Sequence, residues 1–101
     1  MERRLQLQTL LEGIEGVEKV YFQPPHNVQM IYPCIVYKRD NARTDHADNG
    51  AYLYNQRYQV TAMDRDPDGP MVLALAKLPQ CVFVRHFTAD ELNHDIFTLY
   101  F

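Results

Sequence analysis

The stretch from Tyr52 to Asp64 constrains this chain more than any other, because its side chains alternate over a length that only an extended strand accommodates. Tyr52, Tyr54, Tyr58, Val60 and Ala62 are apolar or aromatic, while Asn55, Arg57, Gln59 and Thr61 are polar. A two-residue period sends one set into a core and the other toward water. Alternation of this kind belongs to an antiparallel sheet covered on one face, since strands covered on both faces become continuous apolar runs. The segment is therefore expected to be a central or near-central strand.

The flanking chain predicts an α+β fold, a mainly antiparallel sheet of four to five strands flanked by an N-terminal helix and a short second helix. At 101 residues there is chain enough for one core and too little for two, so residues 1–101 form a single domain. Leu7, Leu10, Leu11 and Ile14 share one helical stripe, which predicts a helix from residue 2 to about 14, closed by Gly16 in the left-handed region. Val17, Val20, Tyr21 and Phe22 predict a short strand, stopped by Pro24 and Pro25. From Ile31 to Arg39 the chain is apolar on both sides, with Ile35 and Tyr37 opposite Cys34 and Val36. That pattern predicts an interior strand with Pro33 near its start. Asp40 to Gly50 is polar and aperiodic, and predicts a loop that is mobile in a free subunit and ordered on assembly.

Beyond the central strand, Asp68 or Gly69 suits a helix N-cap and Pro70 a first helical position. The helix from Met71 to Lys77 would bury Met71, Leu75 and Leu78, with Pro79 closing it. Cys81 to Phe87 predicts a strand with Cys81, Phe83 and Arg85 on one face and Val82, Val84 and His86 on the other. Thr88-Ala89-Asp90-Glu91 has the spacing of a capping box and predicts one helical turn. Asp95 to Phe101 predicts a last strand with Phe97, Leu99 and Phe101 on one face.

Composition narrows the function classes. The formal net charge of −3 lacks the basic footprint of a phosphate-gripping nucleic-acid binder. No apolar run approaches the roughly 20 residues of a membrane-spanning helix, which predicts a cytosolic product without a membrane partner. Cys34 and Cys81 read as buried, reduced thiols. Asp64, Asp66 and Asp68 superficially suggest a cation loop, but Pro67 and the strand-to-helix setting fit an acidic turn better. His26, His46, His86 and His94 lack zinc-ligand spacing, and the four glycines form no phosphate cradle. No catalytic residue, cofactor or metal is expected.

A family resemblance goes further. Tyr32-Pro33-Cys34-Ile35-Val36-Tyr37, a polar loop, Tyr58-Gln59-Val60-Thr61, Asp64-Arg65-Asp66-Pro67-Asp68, and Thr88 through Phe97 with its Leu92-Asn93-His94-Asp95 follow one another in order. Over residues 31 to 101 this resembles the tail terminators of long-tailed bacteriophages, also called tail completion or tail-to-head joining proteins. The resemblance implies a structural virion protein of the neck that catalyses nothing. Its partners would be further copies of itself in a ring, usually a hexamer, together with the tail tube protein and the head connector or stopper protein, while DNA passes through the lumen. The chain is shorter than many terminators, which leaves a neighbouring neck role, head completion or connector stopper, as an alternative.

Two other classes stand beside it. Asp64, Asp66 and His94 would be the residues of a small hydrolase or nuclease, and the tyrosine-bearing sheet would be the binding face of a regulatory module. The acidic turn, Asp64, Arg65, Asp66 and Asp68, is the expected assembly interface, with Arg65 pairing to a neighbour's carboxylate.

Overall fold

The structure is a computed structural model that describes residues 2–46 and 52–101. The alternating stretch is β3 (Tyr52–Asp64), and it is the middle strand of five. On one side it pairs with β2 (Cys34–His46), which pairs in turn with β1 (Lys19–Phe22). On the other side it pairs with β5 (Leu92–Tyr100), which carries the edge strand β4 (Cys81–Ala89). Only β1 and β2 run parallel.

Two helices, α1 (Glu2–Glu12) and α2 (Met71–Ala76), cover the face that the even residues of β3 present. Leu7 and Leu11 of α1 and Met71 and Leu75 of α2 meet Ile35, Tyr37, Tyr58, Val60, Ala62, Phe97 and Leu99 in one buried cluster. Each such large apolar side chain, once buried, contributes roughly 1.5–3 kcal/mol. Leu10 lies at the margin of the stripe and stays largely exposed. The helix ends at Glu12, earlier than its stripe, and Ile14 packs from the following turn. Gly16 adopts φ +91°, and a Cβ there would come within 2.6 Å of Pro70 Cγ, so only glycine lets this turn abut the start of α2.

The opposite face is partly shielded by residues 23–33, which connect the parallel strands. Their anchor is the backbone amide of Ile31, which donates to Tyr21 Oη at 3.0 Å. Cys34, Thr61 and Ile96 are buried on this side.

Four expectations need correction. The predicted loop at 40–50 is strand as far as His46: Asn41 pairs with Arg57, and the ladder continues to His46 opposite Tyr52. Residues 47–50 lie outside the described residues. Backbone pairing does not depend on side-chain polarity, so the polar, aperiodic run from Asp40 to His46 has no apolar alternation to reveal its ladder. A bulge between Arg39 and Asn41 marks where the ladder leaves the core.

The capping box is not one. Thr88 and Ala89 belong to β4, and Asp90 (φ 52°) and Glu91 (φ 63°) form a two-residue left-handed turn into β5. The hairpin ladder on either side outweighs a single helical turn. At α2, Pro70 rather than Asp68 or Gly69 occupies the N-cap, without a side-chain cap bond, and its carbonyl accepts the Ala74 amide at 3.1 Å. Finally, a bulge between Phe83 and Arg85 breaks the alternation of β4. Phe83 faces Phe97, whereas Arg85 faces Ile96 and so points to the other side of the sheet.

The β2–β3 ladder outruns the sheet. Pairing of β3 with β5 stops at Arg57 opposite Tyr100, and pairing of β1 with β2 stops at Phe22 opposite Tyr37. From Ala42 opposite Gln56, whose carbonyl still accepts the Phe101 amide at 3.1 Å, the ladder runs on to His46 opposite Tyr52, and beyond Gln56 no third strand joins it among the described residues. At about 3.4 Å per residue the arm adds roughly 17 Å. It accounts for the elongation of the molecule, 52 × 26 × 22 Å.

Candidate assembly interface

At the end of β3 remote from the arm, the acidic turn is organised by its own carboxylates. Asp64 Oδ1 accepts the Asp66 amide at 3.0 Å, and Asp66 Oδ1 accepts the Asp68 amide at 2.9 Å, two successive Asx turns. The Asp66 carbonyl then accepts the Gly69 amide at 3.2 Å. The Asp64 carboxylate lies so close to Gly69 that a Cβ there would displace it. From β5, Asn93 Nδ2 donates to the carbonyls of Asp64 (3.1 Å) and Arg65 (3.4 Å). The expected intersubunit role of Arg65 meets a competitor, because its guanidinium sits over the Tyr32 ring at 5.6 Å. Asp66 and Asp68 are exposed at the tip.

The residues of the hydrolase reading are not drawn together. Asp64 pairs with Asn93, and His94 pairs with Met63, so Asp64 and His94 point to opposite faces. The His94 ring instead stacks on Phe87, centroids 4.6 Å apart. No group of three His, Cys, Asp or Glu converges in a way that could hold a metal among the described residues. Burial pushes the Cys34 and Cys81 thiols up to about 11, away from the thiolate form a nucleophile needs. A cross-strand pair that the sequence does not announce is His86 Nδ1 with Asp95 Oδ1, 2.8 Å apart. It depends on the β4 bulge, which no spacing rule reveals.

At the base of the arm lies a cavity of about 530 Å³ lined by three arginines, Arg3, Arg4 and Arg39. Its remaining walls are the rings of Phe22, Tyr58 and Phe101 and the carboxamides of Gln23 and Gln56. Arg3 lies over Phe101 at 4.7 Å and Arg4 over Phe22 at 4.5 Å. Arg4 also donates to Tyr37 Oη at 3.3 Å, and that hydroxyl donates to Gln8 Oε1 at 2.5 Å. Burial raises the Tyr37 pKa, opposed by the hydrogen bond and charge of Arg4. Arg39 gives Nε and Nη2 to Gln56 Oε1 at 3.0 and 2.8 Å, and its amide donates to Gln23 Oε1. The lining includes no carboxylate side chain.

Sequence reasoning missed this cavity because its arginines come from α1 and β2, far apart in the chain. One signal was present: Arg3 and Arg4 occupy the first turn of α1, where the helix dipole disfavours cations. The ring contacts of both guanidiniums, with Phe101 and Phe22, offset that unfavourable placement.

No known protein family and no characterised protein matches the chain in sequence.

Proposed function

We propose that the chain is a structural subunit of the neck of a long-tailed bacteriophage, a tail terminator that assembles into a ring, caps the tail tube and joins it to the head connector. The observation that carries this reading is the β2–β3 arm. Two strands that run past the sheet with no third strand on either side among the described residues form a ribbon that is marginal in water by itself. A ribbon of this kind presents backbone edges on which another chain can add a strand. Such an arm suits a subunit built to be completed by neighbours. The ordered run of motifs from Tyr32 to Phe97 supports the same reading, and the acidic excess would keep passing DNA from adhering to a channel wall. None of the described helices is long and apolar enough to cross a membrane. A head-completion or stopper role in the same neck is the alternative, and differs in which tube or portal the ring meets.

The test is to remove the arm. Joining Ala42 to Gln56 through an Asn-Gly turn, which keeps the Gln56 bonds to Arg39 and Phe101, should leave the thermal melt of the domain close to that of the full chain. The same change should abolish rings in sedimentation and annular end caps on tail tubes in negative-stain images. A full-length chain that stays monomeric alone and leaves tail tubes and connectors uncapped would dispose of the proposal.

A further inference from the structure

We infer that the arginine cavity at the base of the arm receives the Asp66–Asp68 turn of a second copy of this chain, in a head-to-tail contact. The inference rests on the ring reading above and specifies the surfaces through which the ring closes. Gln56 and Tyr58 line the cavity, whereas Asp64 opens the turn at the far end of the same strand, so the two surfaces are separated by roughly 20 Å or more. One subunit cannot satisfy both within itself. A contact between two different patches is heterologous, and it closes into a ring where the rotation between copies divides a full turn, giving an open filament otherwise.

Charge complementarity selects this occupant. The cavity gathers three guanidiniums and no carboxylate side chain in a chain whose net charge is −3. The turn presents Asp66 and Asp68 at an exposed tip whose single cation, Arg65, is engaged with Tyr32. Arg3 lies over Phe101 and Arg4 over Phe22, Arg4 gives Nη1 to Tyr37 Oη, and Arg39 gives Nε and Nη2 to Gln56, so all three guanidiniums are restrained and their other N–H groups are the ones a carboxylate would meet. The turn is held in shape by its own Asx bonds, so little ordering is required on docking.

Charge reversal tests the pairing. One variant carries Arg3→Glu and Arg39→Glu, the other Asp66→Arg and Asp68→Arg, and both are first shown by thermal melts to remain folded. Each alone should lose rings, with self-association weakened by at least about tenfold, while wild-type rings weaken as salt rises. An equimolar mixture should restore rings of alternating composition, because both reversed patches then face opposite charge. If a reversal prevents folding, the neutral pairs Arg3→Gln with Arg39→Gln and Asp66→Asn with Asp68→Asn should each weaken assembly without the like-charge penalty. Rings from either reversed variant alone, or no rescue in the mixture, would overturn the inference while leaving the ring reading intact. Calorimetric binding of inorganic phosphate to the cavity with assembly unaffected by the substitutions would overturn it likewise, in favour of a small anion. A wild-type chain that never oligomerises, with or without tail tubes, would instead remove the reading on which the inference stands.

Discussion

Asp64 and Asp68 belong to one acidic turn, yet their surroundings give them different work. Asp64 caps the Asp66 amide and packs against Gly69, whereas Asp68 stands exposed with its amide, not its carboxylate, in the hydrogen-bond scheme. Asp64→Ala should therefore lower stability by about 1–2 kcal/mol in urea denaturation, and Asp68→Ala by less than about 0.5 kcal/mol. Had Asp68 capped α2, its loss would be the larger one. The cysteines give a second test. Burial lifts both thiols from the ordinary 9.0 to about 11. Below pH 9 folded and unfolded chains both keep these protons, so the thiols add no pH dependence. Between pH 9 and 11 the unfolded chain releases protons that the folded chain retains, and stability falls; above 11 the loss levels off. Urea midpoints followed from pH 8 to 10.5 should decline less steeply for Cys34→Ala, whatever its offset at pH 8. Residues whose role is burial were the legible ones: Leu7, Leu11, Val60, Phe97 and Leu99 announce themselves by period. Arg3, Arg4 and Arg39 did not, because a cavity wall assembled from separate elements leaves no spacing in the sequence.

Elements fared according to how far a side-chain pattern reports backbone pairing. β5 and the inner half of β3 carry a covered face and were visible from it, while Tyr52 and Tyr54 carried the sequence alternation of β3 on into the arm. The outer half of β2 is polar and aperiodic in sequence, so its strand was invisible although its ladder resumes beyond the bulge and runs to His46. The β4–β5 hairpin shows the opposite failure, a valid local motif defeated by its neighbours. Because Glu91 sits at φ 63°, Glu91→Gly should stabilise the protein by roughly 0.4–1 kcal/mol, measured by urea denaturation. A helical turn at that position would lose stability from the same change. β4 also leaves Val82, Phe83 and Val84 about half exposed or more on an edge strand, a liability that the bulge beside Val84 blunts by bending the edge. Val84→Lys should leave the melting temperature almost unchanged and reduce light scattering of concentrated samples, since the residue contributes little burial.

At the scale of the whole molecule, the sheet is two hairpins laid side by side. β2–β3 and β4–β5 each close locally, and the seam between them, β3 with β5, joins partners distant in the chain, from Asp64 opposite Asn93 to Arg57 opposite Tyr100. α2 lies in the crossing between the hairpins and covers the same face as α1, so neither hairpin has a finished core without the other. That seam has a consequence in time. Each hairpin can form in microseconds, but the seam requires closing a long loop, so it should limit refolding. Val60→Ala should slow refolding in stopped-flow measurements, while Glu91→Gly, in a hairpin already closed when the seam forms, should leave the unfolding rate nearly unchanged. During synthesis at about 5–20 residues per second, β3 is complete a few seconds before the last residues of β5 have been added. For that interval the central strand of the finished sheet is an open edge on a nascent chain, and neighbouring polysomes present one another with identical open edges. Slow translation across residues 65–91 should accordingly raise the yield of strand-swapped dimers, measurable by size-exclusion chromatography of the newly made protein.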